Sequence, residues 1–168
     1  TFTDFIHAPV IPDISQPVTV TTIAQDPDGV NSAKLFWKSV TNNSGSWNTV
    51  TMAVAADGRL SGTIPGQSNG IKVQFYIQAT DTLGATSLFP HLGPDSRALY
   101  QVQDGQAGSS KLHSFRIIQA TSDVTFQSGS INAYSNDRLG GTVIFDESEV
   151  YYDCLLYTSD AADERSSV

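Results

Sequence analysis

Residues 70–84 carry the clearest structural signal in the sequence, a sustained alternation of apolar and polar side chains. Val73, Phe75, Ile77 and Ala79 fall on one side of an extended chain, and lysine, glutamine and tyrosine side chains fall on the other. A period of two residues is typical of a β-strand with one buried face. We therefore predict a central strand here, against which the other apolar segments must pack.

Shorter segments with the same alternation lie before and after this strand, separated by turn sequences such as Asp-Pro-Asp-Gly and Asp-Gly. We predict an extended leading segment or edge strand in residues 1–16, and further strands at residues 17–24, 33–40, 47–55, 60–64, 86–89 and 98–102. Trp37 is predicted to lie at the centre of the core. No segment shows helical periodicity. The pattern predicts an all-β fold, an antiparallel sandwich over residues 1–103.

The charge and apolar distribution argue against two classes of partner. The formal net charge is −8, and lysine and arginine are scattered, so we expect no nucleic-acid binding. No apolar run approaches the roughly 18 residues that cross a bilayer, so we expect no membrane insertion. The single cysteine, Cys154, excludes an intramolecular disulfide.

Three aspartates in two predicted loops are the candidate metal ligands. Asp26 and Asp28 follow the strand at residues 17–24, and Asp81 follows the central strand. If the two loops share one end of the sandwich, the carboxylates meet, and such oxygen clusters suit Ca²⁺. The alternative is that each aspartate only accepts hydrogen bonds from amides of its own turn.

Two aromatic residues raise the question of a sugar-binding surface. Trp47 and Tyr76 fall on predicted sandwich strands, where they can form an exposed platform or serve as structural residues. The histidines, His7, His91 and His113, have no spacing typical of a metal site or a catalytic triad, so we expect packing or solvent-facing roles. The sequence predicts no catalytic residue.

The order of motifs in the first part resembles the immunoglobulin-like or fibronectin-III-like modules of large bacterial surface proteins. The similarity covers roughly residues 17–103 and rests on Ala24–Val30, Leu35–Trp37, Met52, Gly62–Pro65 and Val73–Asp81. It implies an immunoglobulin-like β-sandwich and an extracellular or cell-surface location. It does not imply an activity, because this fold serves many roles.

Residues 104–111 have the composition of a linker, and the sequence beyond them resembles another family. Ser135–Arg138 and the hairpin ending in Glu149–Asp153 are similar to the opening of the CotH kinase family, the spore-coat protein H group. The resemblance implies that residues 112–153 are the truncated start of such a domain, an incomplete strand and hairpin segment. A full-length relative would use ATP and Mg²⁺ to phosphorylate serine residues of proteins. The Arg-x-Arg/Lys-Gly motif and the later acidic ligands of that family are absent from this chain.

The last fifteen residues, 154–168, match a translation of a transposase-type sequencing adapter over Cys154–Glu164. We expect this segment to be non-native and not to pack specifically. Residues 112–153 are too few to bury a core alone, so they are expected either to lie on the sandwich or to be poorly ordered, with low order the expected outcome.

Together these features predict a non-catalytic fragment, of metagenomic type, of a secreted or surface bacterial protein that resembles the CotH family. The alternative is a cell-surface adhesion or carbohydrate-binding module whose partner is a protein or a glycan.

Overall fold

The computed structural model of this chain describes residues 1–41, 45–105, 113–129 and 137–156. Within these ranges the chain is mostly β-structure, with a single 3₁₀ turn at Gly93–Asp95 and one short α-helix. The elements in order are β1 (Phe2–Ala8), β2 (Val18–Ala24), β3 (Val30–Ser39), β4 (Asn48–Thr51), β5 (Ala53–Val54), β6 (Arg59–Ile64), β7 (Lys72–Asp81), β8 (Thr86–Phe89), β9 (Leu99–Gln101), β10 (Phe115–Ile118), α1 (Thr121–Ser128), β11 (Leu139–Phe145) and β12 (Glu149–Leu156).

The first nine strands form two sheets, and every pairing in them is antiparallel. One sheet has the order β1-β2-β6-β5. The other has the order β4-β3-β7, and the far edge of β7 is shared by β8 and β9. Buried side chains of both sheets, such as Val20 and Leu60 of one and Leu35 and Phe75 of the other, share one apolar core, as in a β-sandwich. The predicted all-β, antiparallel, sandwich-like fold is confirmed.

The inner face of β7 lies at the centre of the core. Val73, Phe75 and Ile77 are completely buried, and Phe75 and Ile77 lie opposite Trp37 and Leu35 of β3. Each such side chain contributes about 1.5–3 kcal/mol through its removal from water. The predicted inward alternation is therefore present.

The outer face of β7 is more buried than an alternating strand predicts. Gln74 and Tyr76 retain only 2% and 8% of their exposed surface. The carboxamide nitrogen of Gln74 donates hydrogen bonds to the carbonyl oxygens of Pro94 and Ser96, at 2.9 and 2.5 Å, because the loop after β8 folds over this face. Trp47 packs against Tyr76 farther along the strand.

Two expectations for the aromatic core and the strand at residues 47–55 need correction. Trp37 is only partly buried against the core, and Phe75 and Tyr100 are the largest fully buried side chains. The predicted strand at residues 47–55 is divided, since β4 pairs with β3 in one sheet and β5 pairs with β6 in the other. Met52 lies between them, buried, and its amide donates to Ala33 O at 2.9 Å.

Strands β10, β11 and β12 form a third antiparallel sheet, which lies against the sandwich. Buried Ile118 and Ile144 from this sheet pack in one apolar cluster with Leu99 of β9. The buried hydroxyl of Thr142 accepts a hydrogen bond from the amide of Leu99 and donates one to the carbonyl of Arg97, both at 2.8 Å. The described residues 113–129 and 137–153 of this region pack on the sandwich, one of the two outcomes considered, and the expected low order stays a prediction.

Helix α1 and the end of β12 are two further departures. Helix α1 has eight residues and only two apolar side chains, Val124 and Phe126. Its sequence therefore lacks the apolar periodicity from which a helix is predicted. Cys154–Leu156 continue β12 and pair with Leu139–Gly141, although we expected no specific packing from residue 154 onward. Strand pairing joins backbone groups, which every sequence carries, so a hairpin extends without an evolved side-chain pattern. Residues 106–111 of the predicted linker and residues 157–168 lie outside the described residues.

Candidate functional site

The structure brings together the three aspartates that were predicted as metal ligands. Strand β3 pairs antiparallel with β7, so the loop before β3 lies beside the end of β7, with Val30 opposite Asp81. One carboxylate oxygen from each of Asp26, Asp28 and Asp81 lies within 4.8 Å of the others. The first two side chains are exposed and the third is half-buried. Oxygen ligands at an open loop edge have the chemistry that Ca²⁺ prefers.

Two of these aspartates, Asp26 and Asp81, also serve as turn residues, as the alternative interpretation requires. Oδ1 of Asp26 accepts a hydrogen bond from the amide of Asp28 at 3.0 Å. Oδ1 of Asp81 accepts hydrogen bonds from the amides of Leu83 and Ala85 at 2.9 and 2.8 Å. These bonds account for Asp26 and Asp81 without a metal, and calcium binding stays a prediction.

A second arrangement lies on the outer face of the β4-β3-β7 sheet, and we call its aromatic part the aromatic patch: Phe36, Trp47 and Tyr76. The rings of Phe36 and Tyr76 are stacked, with centroids 4.8 Å apart and planes 5° apart. Trp47 meets Tyr76 edge-on at 4.9 Å, and the Nζ atom of Lys38 lies 4.6 Å from the centroid of Trp47. Edge-on and stacked contacts of this kind hold aromatic rings in fixed orientations.

Next to the aromatic patch is a cleft of about 350 Å³, which we call the polar cleft. The register explains why the two adjoin, since the pair Phe36 and Tyr76 is followed on the same face by the pair Lys38 and Gln74. The loop after β8 and the start of α1 form the other wall. The polar residues that line the cleft are Lys38, Ser39, Gln74, Asp95, Arg97 and Ser122.

The charged side chains of the polar cleft are held by a network of contacts. The guanidinium of Arg97 pairs with the carboxylate of Asp123, with Nε 2.7 Å from Oδ2, and also donates to the carbonyls of Asp95 and Ser96. The backbone amide of Arg97 donates to Oδ1 of Asp153 in β12 at 2.8 Å. Partial burial lowers the pKa of Lys38, and the positive charge of Arg97 adds to this effect, while Asp95 opposes it.

Sequence reasoning found part of this surface and missed the rest. Trp47 and Tyr76 were singled out, but Lys38, Gln74 and Arg97 were not. Lys38 and Gln74 occupy positions that read as the polar side of ordinary strands, and Arg97 ends a loop rich in proline and glycine. Only the fold of the loop over β7 brings them together.

In comparisons with known proteins, no family model and no curated protein matched this chain. The resemblances to immunoglobulin-like modules and to the CotH family therefore rest on the sequence motifs alone. Among the described residues, no helix has the length and apolar character that a membrane span requires.

Proposed function

We propose that this chain is a non-catalytic β-sandwich module of a secreted or cell-surface bacterial protein that resembles the CotH family. One observation carries the proposal: β10–β12 pack on the sandwich through apolar residues that include Leu99, Ile118 and Ile144, rather than around a site of their own. Such an arrangement suits an accessory module joined to the first strands of a larger domain. ATP and Mg²⁺ would be cofactors of the larger protein.

A phosphotransfer assay tests this proposal directly. The chain is incubated with labelled ATP, Mg²⁺ and a serine-rich peptide, and a functional protein kinase serves as the positive control. We expect no transfer, because phosphoryl transfer needs metal-binding carboxylates and a cation placed around the phosphates. Transfer that scales with the concentration of the chain contradicts the proposal.

A second candidate function is adhesion or carbohydrate binding by the sandwich itself. The observation that favours it is the aromatic patch beside the polar cleft, because saccharide sites combine an aromatic ring with several hydrogen-bonding groups. A glycan array probed with the labelled chain tests this candidate. Saturable binding to defined glycans supports it, and binding no stronger than that of a denatured sample counts against it.

A further inference from the structure

We propose that the polar cleft and the Trp47 ring form one binding site for an uncharged saccharide of one or two pyranose rings. The inference rests on the second candidate function above, and it adds the location of the site and the chemical class of the ligand. Three features of the described residues carry it: the adjoining ring, the fixed polar groups and the balance of charge.

The first feature is the position of the ring. Trp47 is half-buried, so part of the indole is open to solvent, and its ring lies against Lys38, which lines the cleft. Its orientation is fixed by Tyr76 at 4.9 Å and by the Lys38 ammonium at 4.6 Å. A pyranose has apolar C–H faces that pack on an indole surface, and a ring that is already fixed loses little entropy on binding.

The second feature is that the polar groups of the cleft are positioned before any ligand arrives. Gln74 is 2% exposed and is held by two backbone carbonyls, and Arg97 is held by Asp123 and by two carbonyls. The Lys38 ammonium can donate hydrogen bonds, and the carboxamide oxygen of Gln74 and the carboxylate of Asp95 can accept them. A sugar hydroxyl both donates and accepts, so it needs this mixture.

The third feature is the balance of charge, which indicates an uncharged ligand. Of the two cations that line the cleft, Arg97 is paired with the carboxylate of Asp123, and the charge of Lys38 is opposed by Asp95, which also lines the cleft. A charged ligand would bring a charge with no free counter-charge into a partly desolvated site. The net charge of −8 further disfavours acidic polymers. The cleft volume of about 350 Å³ lies at the small end of ligand sites, which limits the ligand to a mono- or disaccharide.

The test is a titration of the full chain with a panel of disaccharides. Binding is monitored by amide chemical shifts and by calorimetry. Lactose, maltose, cellobiose and diacetylchitobiose are the uncharged probes, and digalacturonate and deacetylated chitobiose are the charged ones. We expect saturable binding of at least one uncharged probe, with shifts around residues 36–38 and 74–76, and at least about tenfold weaker binding of the charged probes.

Two variants and one control locate the site. Trp47→Ala is expected to weaken binding about tenfold or more, as loss of a central aromatic anchor does. Lys38→Met keeps the side-chain stem and is expected to weaken binding several-fold. Lys34→Met is the matched control, because Lys34 lies four residues before Lys38 on the same face of β3, opposite Gln78 and outside the cleft. This variant is expected to bind as the original chain does.

The possible outcomes distinguish the proposed binding site from carbohydrate binding in general. Glycan binding that is unaffected by Trp47→Ala and Lys38→Met overturns the inference and leaves carbohydrate binding standing at another surface. Tighter binding of a charged probe overturns the ligand class. If no saccharide binds, on the array or in solution, both the proposed site and carbohydrate binding are overturned. The proposal of a non-catalytic accessory module does not depend on any of these three results.

Discussion

At the scale of single residues, His7 is a titratable group whose pKa folding shifts far from its ordinary value. It is fully buried, Nε2–H donates to the carbonyl of Val10 at 2.9 Å, and Nδ1 accepts a hydrogen bond from the Tyr152 hydroxyl at 2.5 Å. The amide of His7 donates to the same hydroxyl at 3.0 Å. One side chain thus joins β1 to β12, and it does so with a neutral imidazole.

The neutral state of His7 makes stability depend on pH. Burial lowers the pKa of His7 from 6.5 to about 4, and the bond to Val10 only partly opposes this. Between these values the unfolded chain binds a proton that the folded chain does not, so the free energy of unfolding falls as pH decreases from about 6.5 to about 4. The slope is about 1.4 kcal/mol per pH unit, and the total is about 3 kcal/mol.

Urea denaturation at several pH values between 7 and 4 measures this effect. His7→Gln is expected to flatten the pH dependence in this window, even if it also lowers stability overall. His91→Gln is the control, because His91 is exposed, and it is expected to keep the slope of the original chain. Equal slopes in the original chain and in His7→Gln would show that another group is responsible.

Tyr151 and Tyr152 are adjacent, so replacing each by phenylalanine compares the loss of the Tyr151 hydroxyl with the loss of the Tyr152 hydroxyl. Tyr152→Phe removes the group that accepts from the amide of His7 and donates to its ring, so we expect a loss of about 1–3 kcal/mol in the free energy of unfolding. Tyr151 is 52% exposed and its hydroxyl donates to Glu149, so Tyr151→Phe is expected to change stability by less than about 0.5 kcal/mol. Similar losses in both variants, measured by chemical denaturation, would argue against the buried contact.

Asp81 distinguishes the turn role of the aspartates from calcium binding. Asp81→Ala removes the acceptor for two amides and is expected to cost about 1 kcal/mol, whereas Asp81→Asn keeps an acceptor and is expected to cost less than about 0.5 kcal/mol. If Asp26, Asp28 and Asp81 bind Ca²⁺, millimolar CaCl₂ raises the melting temperature of the original chain and not that of Asp81→Asn. An equal response of both proteins counts against the site.

At the scale of elements, β10 shows how one strand can be half core and half surface. Ile118 is fully buried in the cluster with Leu99 and Ile144, and Ile117 is 57% exposed. The two side chains are identical and adjacent, and they differ only in which face of the strand they occupy. The contribution of β10 to stability is therefore concentrated in one position.

Paired alanine substitutions test this division. Ile118→Ala is expected to lower the free energy of unfolding by about 2–5 kcal/mol, because it removes a buried side chain and leaves a cavity. Ile117→Ala is expected to cost less than about 1 kcal/mol, the range of a strand-propensity change at an exposed site. Both are measured by denaturation, with the fold monitored by circular dichroism. A small cost for Ile118→Ala would mean that β10 does not pack stably on the sandwich.

At the scale of the whole molecule, the two apolar clusters meet at β9. Leu99 belongs to the cluster of the third sheet, and its neighbour Tyr100 belongs to the sandwich core. Tyr152 of β12 in turn packs against the sandwich core. The third sheet and the sandwich are therefore expected to gain and lose structure together.

Native-state hydrogen exchange measures this coupling. Amides in residues 142–145 are expected to exchange within about tenfold of those in residues 73–79, since both segments open only when shared apolar contacts are lost. The turn at Asp57–Gly58 provides the fast-exchanging control, because both residues lie outside the strands. Exchange of residues 142–145 as fast as that of the turn would separate the third sheet from the sandwich.

The sequence by itself determined most strands of the sandwich and the inward face of its central strand, β7. The reason is that a period of two residues is a local property, and burial of Val73, Phe75 and Ile77 follows from it wherever the strand lies. The turn residues Asp26 and Asp81 are also recognised from their immediate neighbours in the sequence. For that reason the sequence alone predicts their place in turns.

Only the tertiary structure decided what covers the outer face of β7 and where residues 113–156 pack. Gln74 is polar and reads as a solvent-facing residue, but two carbonyls of a folded-over loop satisfy it in a buried position. Lys38 and Arg97, and likewise His7 and Tyr152, are far apart in sequence, and no periodicity links them. Contacts of this kind depend on how loops and sheets pack in three dimensions, which a local pattern of residues does not encode.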